Sequence, residues 1–135
     1  AIMKRFLVFL AIVLISNTLI AKNKANPKIF VYYFYITQRC ATCINIENTT
    51  KKVLEQFYKA KMDKGSILYK AINIDLPENK EISEKYKVYG STLLLVKVVN
   101  DTETIEDMTN FAFGKIHHEA IFTQGLREKN DQLLK

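Results

Sequence analysis

The chain has 135 residues, of which 48% are hydrophobic and 25% are charged, a composition typical of one globular domain with a single core. This length leaves little room for a second domain. The formal net charge is +6, but Lys and Arg are scattered among Asp and Glu, and no basic run is interleaved with aromatic residues. The composition therefore argues against nucleic-acid binding.

The N-terminus has the pattern of a secretory signal peptide. Lys4 and Arg5 precede a short apolar run, and Ala21 precedes a sharp rise in polarity. Cleavage after Ala21 would lower the formal charge from +6 to +4. The alternative is an uncleaved anchor, which would be the only membrane-associated segment. Either way the domain is expected to be periplasmic or otherwise extracytoplasmic, and the predicted organisation is a signal peptide or anchor (1–21), a linker (22–28) and a domain (29–135).

The first half of the domain is predicted to form a βαβ unit. Residues 29–36 are β-branched and aromatic and apolar on both faces, which predicts a central strand covered by helices on each side. Apolar residues then recur at helical spacing from Ala41 to about Lys61, and residues 67–74 predict a second strand. A strand, a helix and a strand of these lengths place two parallel strands in one sheet.

The second half is predicted to add two strands and two helices. Pro77 suits the first turn of a helix over about residues 78–87. Residues 92–99 are apolar enough for an interior strand, and the turn residues Asn100 and Asp101 lead into an antiparallel strand over 102–108. The last helix is predicted over about residues 115–134, where Gly125 weakens it by about 1 kcal/mol relative to Ala.

The sequence contains two cysteines, Cys40 and Cys43, at the junction between the first strand and the first helix. At this spacing in a first helical turn, two thiols can form a reversible disulfide. The helix dipole stabilises a thiolate at this position, and the positive charge of Arg39 is expected to lower the pKa of Cys40 further. Cys40 is therefore predicted to be the exposed attacking thiol, and Cys43 the more buried resolving thiol.

Two other roles for the cysteine pair remain open. Cys40 and Cys43 could be half of a zinc site, but zinc usually takes four ligands, and the histidines, His117 and His118, are adjacent and expected to face solvent. The pair could also be an inert structural disulfide, since exported proteins accumulate them. So short a loop, however, would constrain the unfolded chain little.

For some other residues near the cysteines, the sequence indicates a role less specifically. Glu47 follows Cys43 by one helical turn and either relays a proton or is a solvated carboxylate. Four tyrosines are predicted to be packing residues: Tyr32, Tyr33, Tyr35 and Tyr89. Tyr89 is also a candidate for the rim of the dithiol site.

The element order, with Cys-x-x-Cys at the start of the first helix, resembles the thioredoxin-like superfamily over residues 29–134. The resemblance implies an α/β three-layer sandwich, ordered βαβ-α-ββα, with a mixed four-stranded sheet and helices on both faces. It also implies a substrate-binding loop opposite the dithiol, at Gly90, Ser91 and Thr92. The superfamily has a cis-proline where this chain has Ser91. A cis bond before a non-proline residue costs about 2.5–4 kcal/mol, which favours a trans bond here.

The string YYFYITQRCATCINIE, residues 32–47, is similar to a narrower group. These are small exported thioredoxin-like proteins known as subunits of nitrophenyl compound reductases and found beside arsenical-efflux permeases. This resemblance implies a protein that passes electrons from a membrane-embedded thiol donor to a disulfide of another protein. The chain departs from many thioredoxins in having Phe34 in place of a buried acid and Arg39 in place of a Trp.

The sequence thus predicts an exported thiol–disulfide oxidoreductase that uses the Cys40–Cys43 disulfide as its redox group and no other cofactor. Through the narrower resemblance, it is expected to be the redox subunit of a nitroaromatic or arsenical detoxification system. The competing hypothesis is a binding module in which the same thiols capture and transfer a soft ion such as Cu(I) or trivalent arsenic. The direction of electron flow does not follow from the sequence.

Overall fold

The computed structural model describes residues 26–135. The predicted signal peptide or anchor and most of the predicted linker lie outside these residues. Within the described part, no helix is both long and apolar enough to cross a membrane. The helices and strands of this part are β1 (Lys28–Tyr35), α1 (Ala41–Phe57), α2 (Lys59–Asp63), β2 (Ile67–Asn73), a 3₁₀ turn (Pro77–Asn79), α3 (Lys80–Lys85), β3 (Thr92–Val99), β4 (Thr102–Asp107), α4 (Thr109–Lys115) and α5 (Glu119–Leu134).

The four strands form one mixed sheet in the order β2-β1-β3-β4. Strand β1 is parallel to β2, with Tyr33 opposite Ala71, and antiparallel to β3, with Tyr33 opposite Leu93. Strands β3 and β4 form an antiparallel hairpin. Asn100 and Asp101 close it with positive φ angles, a conformation that Asn and Asp tolerate better than most residues. The predicted mixed four-stranded sheet is confirmed.

The side of the sheet that packs against α1, α4 and α5, here called the α1 face, holds the larger core. Strand β1 contributes Ile29, Val31 and Tyr33, all with 0% exposure. The three helices bury their apolar sides against these residues, through Ile46, Val53, Leu54, Ala112, Ile116, Phe122 and Leu126. Since α1 follows β1 through a short loop, its N-terminus lies at the carboxyl end of that strand.

The opposite side, here called the α3 face, has a smaller and more aromatic core. The alternate residues of β1, Tyr32 and Phe34, point to this side. The ring centroids of Tyr32 and Phe34 lie 5.6 Å and 6.2 Å from that of Tyr86, which follows α3. Strand β1 is therefore apolar on both faces and covered by helices on each side, which confirms the prediction.

The helix predicted from Ala41 to about Lys61 is interrupted in the structure. Tyr58 has φ −128° and ψ 15°, so α1 ends before it and α2 begins after it. The Tyr58 hydroxyl donates a hydrogen bond to Asp131 Oδ1 at 2.7 Å and lies 3.0 Å from the Arg127 carbonyl oxygen. The prediction of a single helix was wrong. The break in the helix lets the Tyr58 hydroxyl bind to residues of α5, which is far away in the sequence.

The helix predicted over residues 115–134 begins later in the structure, as α5 at Glu119, and a separate helix that was not predicted, α4 (Thr109–Lys115), precedes it. Phe111 of α4 stacks on Phe122 of α5, with ring centroids 6.0 Å apart. A Cβ atom at Gly125 would overlap the Phe111 ring. Gly125, which weakens α5 when considered alone, therefore provides the space that lets α4 pack against it.

The helix predicted over residues 78–87 is shorter and partly 3₁₀. Pro77 begins the 3₁₀ turn, as its fixed φ angle favours, and α3 adds six residues. The chain leaves this helix through Lys87, whose φ is +53°, and then enters the loop before β3.

Candidate functional site

The two cysteines lie where the β1–α1 loop enters α1. Cys40 and Cys43 form a disulfide, with Cα atoms 5.1 Å apart. Cys40 is the N-cap of α1, and its Sγ accepts a hydrogen bond from the Cys43 backbone N–H at 3.1 Å. A sulfur thus takes the capping position usually occupied by Ser, Thr, Asn or Asp. It also lies at the positive end of the helix dipole, which favours a thiolate after reduction.

The two sulfur-bearing residues differ in accessibility. Cys40 is exposed, whereas Cys43 is 9% exposed. A thiol that attacks a disulfide of another protein must be reachable from outside, while a resolving thiol needs to reach only its neighbour. The structure has the asymmetry that the predicted roles of Cys40 and Cys43 require, and the roles themselves remain predictions.

Tyr33 supports the disulfide from beneath. Its hydroxyl donates a buried hydrogen bond of 2.9 Å to the Cys43 carbonyl oxygen. The prediction that Tyr33 packs in the core agrees with its 0% exposure, whereas the same prediction for Tyr89 was wrong, since Tyr89 is 89% exposed. The sequence did not indicate the polar contact of Tyr33. The contact links the central strand to the first turn of α1, so it holds the backbone of Cys43 in place.

Ser91 reaches the disulfide from the loop before β3. Its hydroxyl lies 3.4 Å from Cys43 Sγ and is oriented to donate a hydrogen bond to it. Thr92 donates its own hydroxyl hydrogen to the Gly90 carbonyl oxygen at 3.0 Å and so stiffens the same loop. The described residues contain no cis peptide bond, so the bond before Ser91 is trans. The predicted substrate loop is therefore adjacent to the dithiol, although its binding role remains a prediction.

Arg39 does not extend freely into solvent beside Cys40. Its guanidinium lies over the Tyr35 ring, with 4.1 Å between the guanidinium carbon and the ring centroid. It also forms an ion pair with Glu47 of α1, and the two side chains are only 23% and 21% exposed. Glu47 is therefore a paired carboxylate and not the freely solvated one that the sequence also allowed.

Burial sets the ionisation of the aromatic groups beneath the site. Loss of solvent contact is the main factor that raises the pKa of Tyr33, opposed by the Ser91 hydrogen bond and the charge of Arg39. Burial also raises the pKa of Tyr69, with the negative charge of Glu47 as the next contribution. Both phenols therefore stay neutral over the range in which cysteine thiols titrate.

The described residues contain no cluster of three or more His, Cys, Asp or Glu side chains arranged to hold a metal ion. His117 and His118 lie at the α4–α5 connection, where both are exposed. The structure does not bring them together with the cysteines as one ligand set. A soft ion would have to be held by the two thiols after reduction of the disulfide.

Three contacts of this site were missing from the sequence predictions. They are the Tyr33–Cys43 and Ser91–Cys43 hydrogen bonds and the Arg39–Glu47 ion pair. Strand alternation could have placed Tyr33 on the side of α1, since it occupies the face opposite to Tyr32 and Phe34. The superfamily resemblance implied that the loop of Ser91 lies opposite the dithiol, but no local signal could have revealed the contact itself, because 48 residues separate Ser91 from Cys43.

No protein-family model matches the chain, and no curated protein sequence matches it. The chain is similar to several solved structures. One is described as a malarial protein, with 20% identity over 67% of this chain and 98% of that chain and a TM-score of 0.41. The thioredoxin Deadhead of Drosophila melanogaster has 26% identity over 57% of this chain and 64% of that chain, with a TM-score of 0.40. A Thermus thermophilus thioredoxin has 18% identity over 75% of this chain and 72% of that chain, with a TM-score of 0.41.

The architecture itself is the one expected from the sequence. The central strand β1 lies between a parallel and an antiparallel neighbour, helices cover both faces, and a Cys-x-x-Cys disulfide caps the helix that follows β1. This chain therefore has a thioredoxin-like α/β fold with an oxidised dithiol at the start of α1.

Proposed function

We propose that this protein is a thiol–disulfide oxidoreductase that exchanges electrons with other proteins through Cys40 and Cys43. The observation that carries the proposal is the disulfide between an exposed N-cap sulfur and a buried neighbour. A purely structural disulfide has no need of an exposed sulfur at a helix N-terminus. A loop of this length also stabilises the folded state little, because it restricts the unfolded chain only slightly.

In the reducing direction, the Cys40 thiolate attacks one sulfur of a partner disulfide. A bond forms between Cys40 and that sulfur, and the second partner sulfur leaves as a thiolate that takes a proton from solvent. The Cys43 thiolate then attacks Cys40 Sγ, forms the intramolecular disulfide and releases the first partner sulfur. Two electrons pass from the dithiol to the partner, and the reverse sequence oxidises a partner dithiol.

The surroundings of Cys43 support the second step. The Ser91 hydroxyl, 3.4 Å from Cys43 Sγ, is a weak partner for a disulfide sulfur but a much better one for a thiolate, since charge strengthens a hydrogen bond. The Tyr33 hydroxyl holds the Cys43 carbonyl and so limits movement of the helix backbone. Ser91 thus favours the charged form of Cys43 that the resolving step needs.

An exported cellular setting is part of the proposal. The N-terminal pattern supports export, with residues 1–21 as a signal peptide or anchor. In that setting the dithiol would be re-reduced by a membrane-embedded thiol donor and would pass its electrons to a protein disulfide. The resemblance of residues 32–47 supports a place in a nitroaromatic or arsenical detoxification system.

The test is a comparison of two single-cysteine variants. Cys43→Ser leaves the attacking thiol but removes the resolving thiol, so it should accumulate a mixed disulfide with a model substrate such as insulin. Cys40→Ser should trap several-fold less, because the remaining thiol is buried. The unaltered protein, equilibrated with reduced and oxidised glutathione, should show one two-electron transition.

Two results would contradict the proposal. One is equal trapping by both variants, which would mean that the exposed sulfur has no special role. The other is tight retention of Cu(I) or trivalent arsenic by the reduced protein, without any exchange with glutathione or insulin. That second result would assign the same thiols to ion transfer.

A further inference from the structure

The guanidinium of Arg39 is paired with the carboxylate of another side chain in this structure. Arg39 immediately precedes Cys40, and its guanidinium forms an ion pair with Glu47 while lying over the Tyr35 ring. Both charged side chains are mostly removed from solvent, with 23% and 21% exposure. The pair is therefore screened less by water and salt than an exposed surface pair would be.

The pair joins the two segments that hold the cysteines. Arg39 belongs to the β1–α1 loop, while Glu47 lies one helical turn beyond Cys43 on α1, and helical side chains lean towards the N-terminus. The carboxylate is therefore directed to the end of the helix that carries the disulfide. There it meets the guanidinium.

The other titratable groups against this pair are phenols: Tyr33, Tyr35 and Tyr69. Burial raises the pKa of Tyr33 and Tyr69, so these two carry no charge when cysteine thiols titrate. Arg39 and Glu47 are therefore the charged groups of this cluster.

We propose that Glu47 is a positioning residue that neutralises Arg39 and thereby limits how strongly Arg39 activates Cys40. This inference rests on the proposed function, since it concerns the reactivity of the same dithiol. A lone cation beside Cys40 would stabilise the thiolate. A guanidinium paired with a carboxylate has no net charge, so its effect on a nearby sulfur is much smaller. Loss of Glu47 would release the activating charge, and loss of Arg39 would leave an opposing one.

Three variants of the full chain test this inference: Glu47→Gln, Arg39→Gln and the double variant. The readout is the rate at which iodoacetamide alkylates the reduced protein as a function of pH, which reports the thiolate fraction of Cys40. Glu47→Gln should shift the profile to lower pH and raise the rate at neutral pH by about threefold, the size expected for one unit charge near a protein surface. Arg39→Gln should shift the profile the opposite way, and the double variant should return close to the unaltered protein.

The matched control is Glu119→Gln. Glu119 also pairs with a side chain of α1, Lys52, at 2.5 Å, but both groups are well exposed, at 58% and 63%. This variant changes the net charge of the protein by the same amount as Glu47→Gln, so it should leave the alkylation profile unchanged. A thermal melt of each variant checks that the fold is retained.

Two outcomes would overturn the inference. If both single variants shift the profile in the same direction and the double variant does not restore it, the pair has only a structural role. If Glu47→Gln and Glu119→Gln give the same profile, Glu47 has no particular effect on Cys40. Alkylation does not require a partner disulfide. The two ideas can therefore fail separately. If the single variants shift the alkylation profile in opposite directions and the double variant restores it, but the protein does not exchange with insulin, this inference is supported and the proposed function fails.

Discussion

The α1 face of the sheet lies under three helices, whereas the α3 face lies under one helix of six residues and a 3₁₀ turn. Tyr33 and Tyr32 are neighbours in β1 and point to opposite faces. Burial raises the pKa of both, and raises that of Tyr32 to about 12. Of these two hydroxyls, only that of Tyr33 hydrogen-bonds to a cysteine residue among the described residues. We therefore expect the α1 face to govern the chemistry of the dithiol and the α3 face to contribute mainly stability.

The largest expected effect comes from Phe34→Ala on the α3 face. Phe34 is 0% exposed and lies against Tyr32 and Tyr86. Removal of a buried aromatic ring leaves a cavity and should lower the free energy of unfolding by about 3–5 kcal/mol, measured by urea denaturation. The glutathione equilibrium of the folded protein should not change. If the glutathione equilibrium changes, and changes in the milder Phe34→Leu variant as well, the α3 face contributes to the redox behaviour of the dithiol.

Gly125→Ala probes the packing of the helices on the α1 face. Alanine favours a helix by about 1 kcal/mol, but its Cβ would overlap the Phe111 ring, and overpacking costs about 1–3 kcal/mol. We expect a net loss of up to about 2 kcal/mol in the free energy of unfolding, measured by urea denaturation. Gly114→Ala is the control, because a Cβ there meets no atom within 4 Å. Greater stability in Gly125→Ala would contradict the close α4–α5 contact.

Ser91→Ala tests the hydroxyl that reaches the dithiol. Loss of a hydrogen bond that favours the Cys43 thiolate, worth about 1.5 kcal/mol, should lower the thiolate fraction of Cys43 about tenfold. Because a more basic thiolate is also a better nucleophile, about half of this effect is offset, and the resolution of a Cys40–glutathione mixed disulfide should slow about threefold, as followed by rapid mixing and mass spectrometry. Ser91→Thr keeps the hydroxyl and should retain most of the rate. Equal rates in the unaltered and Ser91→Ala proteins would mean that the 3.4 Å contact has no role in resolution.

Tyr33→Phe removes the hydrogen bond to the Cys43 carbonyl. We expect a loss of about 1 kcal/mol in unfolding free energy, together with a measurable change in the glutathione equilibrium. Tyr32→Phe, the matched change on the α3 face, should leave that equilibrium unchanged. The comparison of the two faces fails if both substitutions alter the equilibrium equally.

The smallest effect is expected at Glu103, which connects β4 to the end of α3. The hydrogen bond from Lys85, at 2.7 Å, is the main factor that lowers the pKa of Glu103. Burial opposes this shift, and the hydrogen bond from the Tyr86 hydroxyl lowers the pKa further. A carboxyl with a lowered pKa stabilises the fold above its ordinary pKa, and this contribution is lost as the pH falls through the folded-state pKa. Glu103→Gln should therefore cost less than about 1 kcal/mol at neutral pH. This loss of stability should disappear in acid, where Glu103 is protonated in the unaltered protein as well. A loss that persists in acid would show that the stabilisation by Glu103 is not ionic.

Two features of the helices, the interruption at Tyr58 and the role of Gly125, show the limit of what sequence periodicity can predict. The apolar spacing continues past Tyr58, so it predicts one helix, but the phenol binds Asp131 of α5 and the backbone turns at this residue. Likewise, Gly125 weakens a helix when only local propensity is considered. Its actual role depends on Phe111, which lies on another helix. Both differences arise from contacts between segments that are far apart in the sequence.

The same distinction applies to the site. The positions of Cys40 and Cys43 at a helix start follow from local spacing, since the apolar strand and the helical rhythm are both read over a few residues. The partner of Arg39 could not be predicted with the same certainty. A guanidinium beside Cys40 can extend into solvent or fold back onto α1, and the Tyr35 ring and Glu47 together decide in favour of the second.

The sequence by itself determined the thioredoxin-like order of strands and helices, the burial of β1 on both sides and the dithiol at the start of α1, because continuous apolar runs and period-3.6 patterns act locally. Only the tertiary structure decided what surrounds the dithiol: the Ser91 hydroxyl at Cys43 Sγ, the Tyr33 phenol at the Cys43 carbonyl and the carboxylate that pairs with Arg39. These contacts depend on how β1, α1 and the β3 loop pack together. Packing is a property of the whole core, which no local pattern encodes.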